Sequence, residues 1–179
     1  MQFLLGLGAS SVCLPPELPM SAVDALAHTS QSLGVGCEVW SFGRIPLAIS
    51  ARCYHARVTG RTKDSCKFIC TQDQDGLDIK TMDGQHFLCV NGVQTLSHDY
   101  CCTIDKIGRL SAAGVTSLRL SPQSCDMILV STIFRESLDG HIDPEEGWRQ
   151  MQSVCGPVRF TDGFLSGGPV TEINPNRPL

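Results

Sequence analysis

The chain has 179 residues, enough for one domain with its own hydrophobic core. A hydrophobic share of 42% with 18% charged residues excludes a disordered chain, and a net charge of -4 gives no general attraction to nucleic acid or anionic membranes. No apolar stretch approaches the roughly 20 residues of a membrane span, and the start lacks the basic region of a signal peptide. We therefore expect a cytoplasmic protein without a transmembrane segment, whose ten cysteines are free thiols or metal ligands.

The N-terminal part of the chain shows the alternating strands and helices of a β/α fold. Residues 3–7 are typical of the end of a helix, and residues 12–14 predict a short apolar strand. A helix is predicted to begin at Ser21, as its cap, and to end at Gly34, before a strand over residues 37–42. Such a strand–helix–strand unit predicts a parallel sheet. Because the pattern starts in mid-fold, we expect an α/β protein with a partial (β/α) barrel-like domain that is N-terminally truncated.

An insertion between about residues 53 and 96 interrupts this alternation. Turn signals occur at Asp75-Gly76, Asp83-Gly84 and Asn91-Gly92, with short apolar runs between them. Asp-Gly and Asn-Gly pairs between apolar runs are the usual signal of tight hairpin turns. We therefore expect β-hairpins inserted into the α/β scaffold, with cysteines at the start of the insertion.

The α/β pattern returns in the C-terminal part, where Asp99 is predicted to cap one helix and Ser121, followed by a proline, to begin another. The predicted elements are a helix from Asp99 to Gly114, a strand over residues 115–120, a helix from Ser121 to Gly140 and a helix over residues 144–154. We expect a barrel-like domain over residues 1–140, followed by a C-terminal helix and a Gly/Pro-rich tail over residues 141–179.

Three cysteines, Cys53, Cys66 and Cys70, lie close together just after a predicted strand. Soft thiolates select zinc, copper(I) or iron–sulfur clusters. Basic residues surround them with one acid, Asp64, and a cationic setting offsets the negative charge of a thiolate-bound cluster. The spacing matches neither common ferredoxins nor paired zinc ribbons, so burial as small hydrophobic residues is the alternative. His55 is predicted to pack or to support a ligand rather than to bind a metal.

The other cysteines give weaker signals. Cys13, Cys37 and Cys89 occupy apolar strand positions and are predicted to lie in the core. Cys125 and Cys155 lie in helical contexts without a nearby partner, so packing is predicted for them as well.

Several blocks of the sequence resemble the collagenase-like peptidase superfamily, and most closely its UbiV branch. The blocks are PPEL at residues 15–18, EVWSFGRIPLAISARC at 38–53, KDSCKFIC at 63–70, NGVQTLS at 91–97 and LRLSPQ at 118–123. The cysteine-bearing block and the NGVQTLS block are specific to this resemblance, whereas the strand–helix pattern between them is not. The resemblance runs from about Phe3 to about Leu138, and more loosely through the tail.

The resemblance implies a [4Fe-4S] cluster bound by Cys53, Cys66 and Cys70. It also implies a heterodimer with a homologous UbiU-type subunit, and a ubiquinone precursor as the substrate of an oxygen-independent hydroxylation. The family's fourth ligand normally lies far upstream, in a region that this chain lacks. Either the chain is truncated or Cys101 replaces that ligand, since Cys101 sits where the UbiU branch has a ligand; Cys102 is a weaker candidate.

Other functions stay open at this point. The superfamily name suggests a peptidase, although the sequence shows no catalytic dyad or zinc-protease motif. RNA hydroxylation, which other branches of the superfamily carry out, is disfavoured by the acidic balance of the chain. A structural zinc site would use the same thiols. The catalytic residues stay unassigned, and the prediction is a hydroxylase subunit rather than a peptidase.

Overall fold

The computed structural model describes residues 1–168, so residues 169–179 of the predicted Gly/Pro-rich tail lie outside the described residues. The helices of the described part are α1 (Gln2–Gly6), α2 (Met20–Ser32), α3 (Tyr54–Val58), α4 (Ile107–Ala112), α5 (Met127–Leu138) and α6 (Pro144–Cys155). The strands are β1 (Ser11–Cys13), β2 (Gly36–Ile49), β3 (Leu77–Lys80), β4 (His86–Asn91), β5 (Gln94–Cys102), β6 (Ser117–Leu120) and β7 (Phe160–Thr161). Short 3₁₀ turns cover Lys63–Ser65, Ile69–Gln72 and Ile104–Lys106.

The parallel part of the sheet is built around β2. Strands β1 and β6 both run parallel to β2, and Glu38 has a register partner on each side, Cys13 in β1 and Ser117 in β6. Helix α2 connects β1 to β2, as the predicted strand–helix–strand unit requires. The buried positions of α2 recur at helical spacing, and they are Met20, Val23, Ala27 and Ser30.

The antiparallel part of the sheet continues from the C-terminal half of β2. Strand β5 pairs with residues 42–49 of β2, β4 pairs with β5, and β3 pairs with β4 at the edge. The predicted turns at Asp83-Gly84 and Asn91-Gly92 join these strands, so the hairpin prediction is confirmed. Within residues 1–168 the sheet does not close on itself, and the protein has the partial barrel-like α/β fold that the sequence predicts.

Two hydrophobic clusters hold the helices against the sheet. The larger cluster buries Phe42 of β2 with Phe134 of α5 and Met151 of α6. The smaller cluster lies beneath α2 and includes Ala27 and Val39. Full burial of a large apolar side chain contributes roughly 1.5–3 kcal/mol. These clusters therefore make a rigid base for the hairpin insertion that follows β2.

The predicted helix capped by Asp99 is wrong in its first half. Asp99 lies inside strand β5, and the chain becomes helical only at the 3₁₀ turn Ile104–Lys106, which leads into α4. Local pattern does not reveal that the backbone of residues 100–102 pairs with β2 on one side and that Tyr100 and Cys101 pair with β7 on the other. Pairing on both sides overrides a capping signal that is worth about 1 kcal/mol.

The predicted helix start at Ser121 is also wrong. The Ser121 amide donates to the Phe42 carbonyl oxygen at 2.9 Å, which continues the pairing of β6 with β2. Helix α5 begins at Met127 instead, and the Asp126 side chain accepts hydrogen bonds from two amides of its first turn. The predicted cap of α2 is displaced as well, because Pro19 occupies the N-cap and Ser21 lies inside the helix.

Helix α6 is confirmed at Pro144–Cys155, with its proline in the first turn. Trp148 and Met151 of α6 lie in the larger hydrophobic cluster. The division of the chain at residue 140 stays a prediction. Within residues 1–168, no helix has the length and apolar character needed to cross a membrane.

Candidate functional site

The three predicted ligand cysteines lie in the segment that follows β2. Cys53 precedes α3, and its Sγ atom accepts a hydrogen bond from the Ala56 amide at 3.4 Å. Cys66 follows the 3₁₀ turn Lys63–Ser65, and Cys70 lies within the turn Ile69–Gln72. All three thiols are free and partly exposed. The segment therefore presents three accessible thiols on three short elements.

His55 fixes α3 to the end of this cysteine segment. Its ring is 1% exposed, with Nε2 at 2.9 Å from Asp73 Oδ2 and Nδ1 at 3.2 Å from the Val90 carbonyl oxygen. Both partners are oxygen acceptors, so each ring nitrogen faces an atom to which it can donate. Helix α3 also lies against the 3₁₀ turn that contains Cys70. His55 is thus a buried packing residue, as predicted, and it joins the Cys53 and Cys70 elements.

The chain bends sharply between Cys66 and Cys70. Lys67 and Phe68 have φ angles of 52° and 53°. This left-handed conformation costs a residue other than glycine about 1–3 kcal/mol. Arg61 Nη1 donates to the Cys66 carbonyl oxygen at 2.8 Å and so holds the bend in place. Such strain is common at ligand sites, and here it shapes the link between two candidate ligands.

Positive charge surrounds the three thiols. The basic residues between residues 52 and 70 are Arg52, Arg57, Arg61, Lys63 and Lys67. The acid within this stretch is Asp64. All of these charged side chains are exposed or partly exposed. Because a cluster bound by thiolates carries negative charge, this surrounding offsets the cost of bringing several thiolates together.

Asp75 anchors the far end of the cysteine segment to the rest of the fold. Its Oδ2 atom accepts a hydrogen bond from the Tyr100 hydroxyl at 3.1 Å, and its Oδ1 atom accepts from the Ser124 amide at 2.7 Å. Burial, followed by the negative charge of Asp75, raises the pKa of Tyr100, so the phenol keeps its proton and acts as the donor. The segment is therefore tied to β5 and to the loop before α5.

Cys101 and Cys102, the candidates for a local fourth ligand, are both buried. Cys101 is 3% exposed and packs with Ile45 in an apolar cluster that also contains Phe164. Cys102 lies in the larger hydrophobic cluster and is fully buried. To serve as a ligand, Cys101 must therefore turn out of a packed apolar environment toward the cysteine segment.

The structure corrects two predictions about the other cysteines. Cys37 and Cys89 are buried, but Cys13 is exposed, because the short strand β1 turns this side chain outward. Cys125 and Cys155 do have a nearby partner, since their Sγ atoms lie 3.9 Å apart. Burial, with Cys125 as the next cause, raises the pKa of the Cys155 thiol. Sequence separation hid this pair, which meets only when α6 packs beside the loop before α5.

A groove of about 710 Å³ lies away from the cysteine segment, between α4, β6 and α5. Its lining is divided between apolar side chains, such as Leu110, Leu118 and Phe134, and hydroxyl side chains, with Arg135 as its charged member. Since a catalytic site needs several convergent titratable groups and this lining offers Arg135 alone, the groove is a poor candidate for chemistry.

One cluster of side chains that could ligate a metal ion is not evident from the sequence. Asp78, His86 and His98 come from β3, β4 and β5, and their potential ligand atoms all lie within 4.8 Å of one another. Within residues 1–168, no other group of three or more His, Cys, Asp or Glu side chains has its ligand atoms this close together. In the sequence these three residues lie around hairpin turns at a spacing that matches no recognised metal-binding motif. Their meeting depends on strand register.

The fold and the cysteine segment together define an open-sheet α/β protein with a thiol-rich insertion. The model of peptidase family U32 matches residues 1–174. The match covers nearly the whole chain, and the protein therefore belongs to peptidase family U32. No solved structure matches the chain. Membership of this family agrees with the resemblance to the collagenase-like peptidase superfamily, and the match does not distinguish the branches of that superfamily.

Proposed function

We propose that this protein is an iron–sulfur component of oxygen-independent ubiquinone biosynthesis, acting with a homologous UbiU-type subunit in hydroxylation of the quinone precursor ring. The observation that carries the proposal is the cysteine segment. Cys53, Cys66 and Cys70 are partly exposed on elements that His55 and a strained bend hold in place. The branch-specific sequence blocks described above supply the rest of the support.

The donor set fits a [4Fe-4S] cluster in its chemistry. Such a cluster takes one cysteine thiolate per iron, so its four sulfur ligands lie further apart than those around a single ion. Cys53, Cys66 and Cys70 lie on separate short elements, and they are not among the groups of three in residues 1–168 whose ligand atoms lie within 4.8 Å of one another. The fourth ligand is either Cys101 or a thiol outside the present chain. The cluster, when bound, would supply one-electron chemistry.

The chain's own residues hold and shield the site in this proposal. The three thiolates bind iron, and the neighbouring basic side chains offset their charge. Tyr54, Val58 and Phe68 expose apolar surface beside the thiols, with Phe68 75% exposed. A homologous subunit that covers these side chains would bury them and exclude water from the cluster. This surface supports the heterodimer part of the proposal.

Anaerobic reconstitution with iron and sulfide tests the cluster directly. We expect bound iron and sulfide, with absorbance near about 400 nm, in the wild-type protein. Single Cys53→Ser, Cys66→Ser and Cys70→Ser changes should each abolish or strongly reduce both signals. Cys13→Ser is the matched control, because Cys13 is an exposed cysteine on β1 and should leave both signals intact. A wild-type protein that takes up zinc but no sulfide would contradict the proposal.

The biosynthetic role needs a separate test in cells. We expect the gene to restore ubiquinone in an anaerobically grown deletion strain of a host that has the pathway, and the Cys66→Ser variant to fail. Peptide cleavage that survives Cys53→Ser would favour the peptidase alternative. Salt-dependent RNA binding would favour RNA hydroxylation. Each result separates functions that share the same family.

A further inference from the structure

A second candidate metal site lies on the hairpin insertion, apart from the three thiols. His86 Nδ1 lies 2.5 Å from Asp78 Oδ2, and His98 Nε2 lies 3.6 Å from Asp78 Oδ1. We propose that Asp78, His86 and His98 bind one divalent transition-metal ion through two imidazole nitrogens and one carboxylate oxygen. The ligands come from three neighbouring strands, so the ion would cross-link β3, β4 and β5.

A β-bulge brings His86 to the face of the sheet that carries Asp78 and His98. Asp78 is paired with Cys89 and Cys89 with Leu96, so these three side chains lie on the same face of the sheet. His98 follows Leu96 by two residues and therefore lies on that face as well. Strict alternation would place His86, three residues before Cys89, on the opposite face. A register shift between Ile79 and Lys80 makes His86 the partner of Lys80, which lies on the Asp78 face. Bulges commonly re-aim side chains at functional sites.

The side chains are close to a metal-binding geometry. Ligand atoms of a tetrahedral zinc site at 2.0–2.1 Å from the ion lie about 3.3 Å from one another. His86 Nδ1 lies 2.5 Å from Asp78 Oδ2 and His98 Nε2 lies 3.6 Å from Asp78 Oδ1, so each histidine is near that spacing from a different carboxylate oxygen. The centroids of the two imidazole rings lie 4.6 Å apart with their planes inclined by 32°, and the potential ligand atoms of all three residues lie within 4.8 Å of one another. Small side-chain rotations on a partly exposed surface would complete the site.

Asp99 orients one of the histidines from behind. His98 Nδ1 lies 2.9 Å from Asp99 Oδ1, which leaves Nε2 as the free ligand atom facing Asp78. Asp99 is 4% exposed, and Arg159 donates to the same oxygen from Nε and Nη2 at 3.0 Å. A carboxylate behind a ligating histidine is typical of metal sites, because it fixes the tautomer and raises the basicity of the ligand. Asp99 is therefore a positioning residue.

Three protein ligands leave one position open on a four-coordinate ion, which is typical of catalytic rather than structural zinc sites. A cleft of about 20 Å³ is lined by His86, His98, Asp99 and Arg159 but not by Asp78, so it adjoins the histidines on the side of Asp99 and does not itself define the open position.

The nature of the donors separates this site from the thiols. Imidazole and carboxylate donors suit Zn²⁺, Fe²⁺ and Co²⁺, whereas the cysteine segment offers soft thiolates alone. Because thiolates also bind zinc, the two sites are distinguished by their donors rather than by zinc uptake alone. The iron–sulfur proposal does not depend on this second site, and either can fail without the other.

Zinc binding by the full chain tests the site. We expect His86→Ala and Asp78→Asn to lower the zinc bound per chain by one equivalent in elemental analysis after dialysis. His141→Ala is the matched control, because His141 is an exposed histidine outside the cluster, and it should bind as the wild type does. Asp99→Asn should weaken the affinity for zinc about 10–100-fold in titration calorimetry, without changing the stoichiometry.

Cobalt binding identifies the donors. The equivalent that is lost in His86→Ala should give a Co²⁺ spectrum of nitrogen and oxygen ligands without a thiolate charge-transfer band. Equal zinc content in the wild type, His86→Ala and Asp78→Asn would overturn the proposal. So would zinc that binds only at millimolar concentration or that disappears equally in His141→Ala. Because His86 and Asp78 lie at the surface, these variants should fold, and a melting curve checks this.

Discussion

Replacement of His55 tests whether the cysteine segment is held in a ligand-binding arrangement. His55 joins α3, which follows Cys53, to Asp73, which follows the 3₁₀ turn with Cys70. In His55→Ala both bonds are lost, so the two thiol-bearing elements are free to move relative to each other. We expect the affinity for the cluster to fall about 10–100-fold, as for other residues that support metal ligands.

The stability cost of His55→Ala follows from its two contacts. The Val90 carbonyl belongs to a residue that is 8% exposed, so loss of its donor costs about 1–2 kcal/mol. The Asp73 side chain is 38% exposed, and water replaces the ring there, so that contact is discounted to about 0.5–1 kcal/mol. With the cavity left by the ring, the total is about 3 kcal/mol. For a chain of this length, that lowers Tm by roughly 6–12 °C.

Two conservative variants divide the contacts of His55. Asn places an amide near the position of Nδ1 and can keep the bond to Val90, whereas Gln reaches the position of Nε2 and can keep the bond to Asp73. If the link to Asp73 positions the thiols, His55→Gln should retain more iron than His55→Asn. Iron and sulfide per chain after anaerobic reconstitution, with Tm of the same samples, give the measurement.

A control of similar instability separates positioning from general unfolding. Ile133 in α5 is 1% exposed and belongs to the larger hydrophobic cluster, away from the cysteine segment. Its replacement by Ala costs about 2–5 kcal/mol, a range that includes the cost of His55→Ala. The reasoning is refuted if Ile133→Ala loses as much iron as His55→Ala at equal Tm, or if His55→Ala retains full iron.

Three further predictions concern stability. Asp126→Ala removes the side chain that caps α5 and should cost about 1 kcal/mol in urea unfolding. Gly163→Ala places a Cβ 2.8 Å from Ile45 Cδ1 at a φ of +65° and should lower stability by about 2–4 kcal/mol. The raised pKa of Cys155 keeps the folded thiol protonated where the unfolded one ionises, so stability should fall above about pH 8.5, by up to about 1.4 kcal/mol per pH unit.

Each of these predictions has a matched control. Asp126→Asn keeps a capping oxygen and should be near neutral, so an equal loss in both variants would contradict the capping argument. Gly60→Ala has a similar φ of +68° but open space around the new Cβ, so it should cost less than Gly163→Ala. In the presence of a reductant, Cys155→Ala should make the fall of unfolding free energy with rising pH shallower. An unchanged slope would show that Cys155 does not cause this fall.

Sequence patterns predicted the parts of the fold that depend on local signals. Helix α6 has a proline in its first turn and acidic neighbours, and the hairpins have Asp-Gly and Asn-Gly turns, so local chemistry decides both. The prediction of a helix from Asp99 failed because strand pairing across long sequence distances outweighs a single capping side chain. The same reason explains Ser121, whose amide binds the Phe42 carbonyl rather than opening a helix.

The two candidate sites differ in how far sequence could reveal them. Cys53, Cys66 and Cys70 are near one another in sequence and lie in one continuous segment with basic neighbours, so the sequence indicates them as a group although their spacing fits no common motif. Asp78, His86 and His98 meet because of strand register and one bulge, and a bulge leaves no reliable mark in the sequence. Cys125 and Cys155 likewise meet through helix packing. Three-dimensional pairing, rather than composition, decides such sites.

Strand β4 connects the two candidate sites. Its Val90 carbonyl accepts the His55 bond that positions α3, and its His86 side chain belongs to the metal cluster. Strand β3, which supplies Asp78, is the edge strand of this part of the sheet and pairs with β4 alone within the described residues. An ion shared by β3, β4 and β5 would hold that edge in register. The strand that anchors the cysteine segment would then be held both by His55 and by the ion.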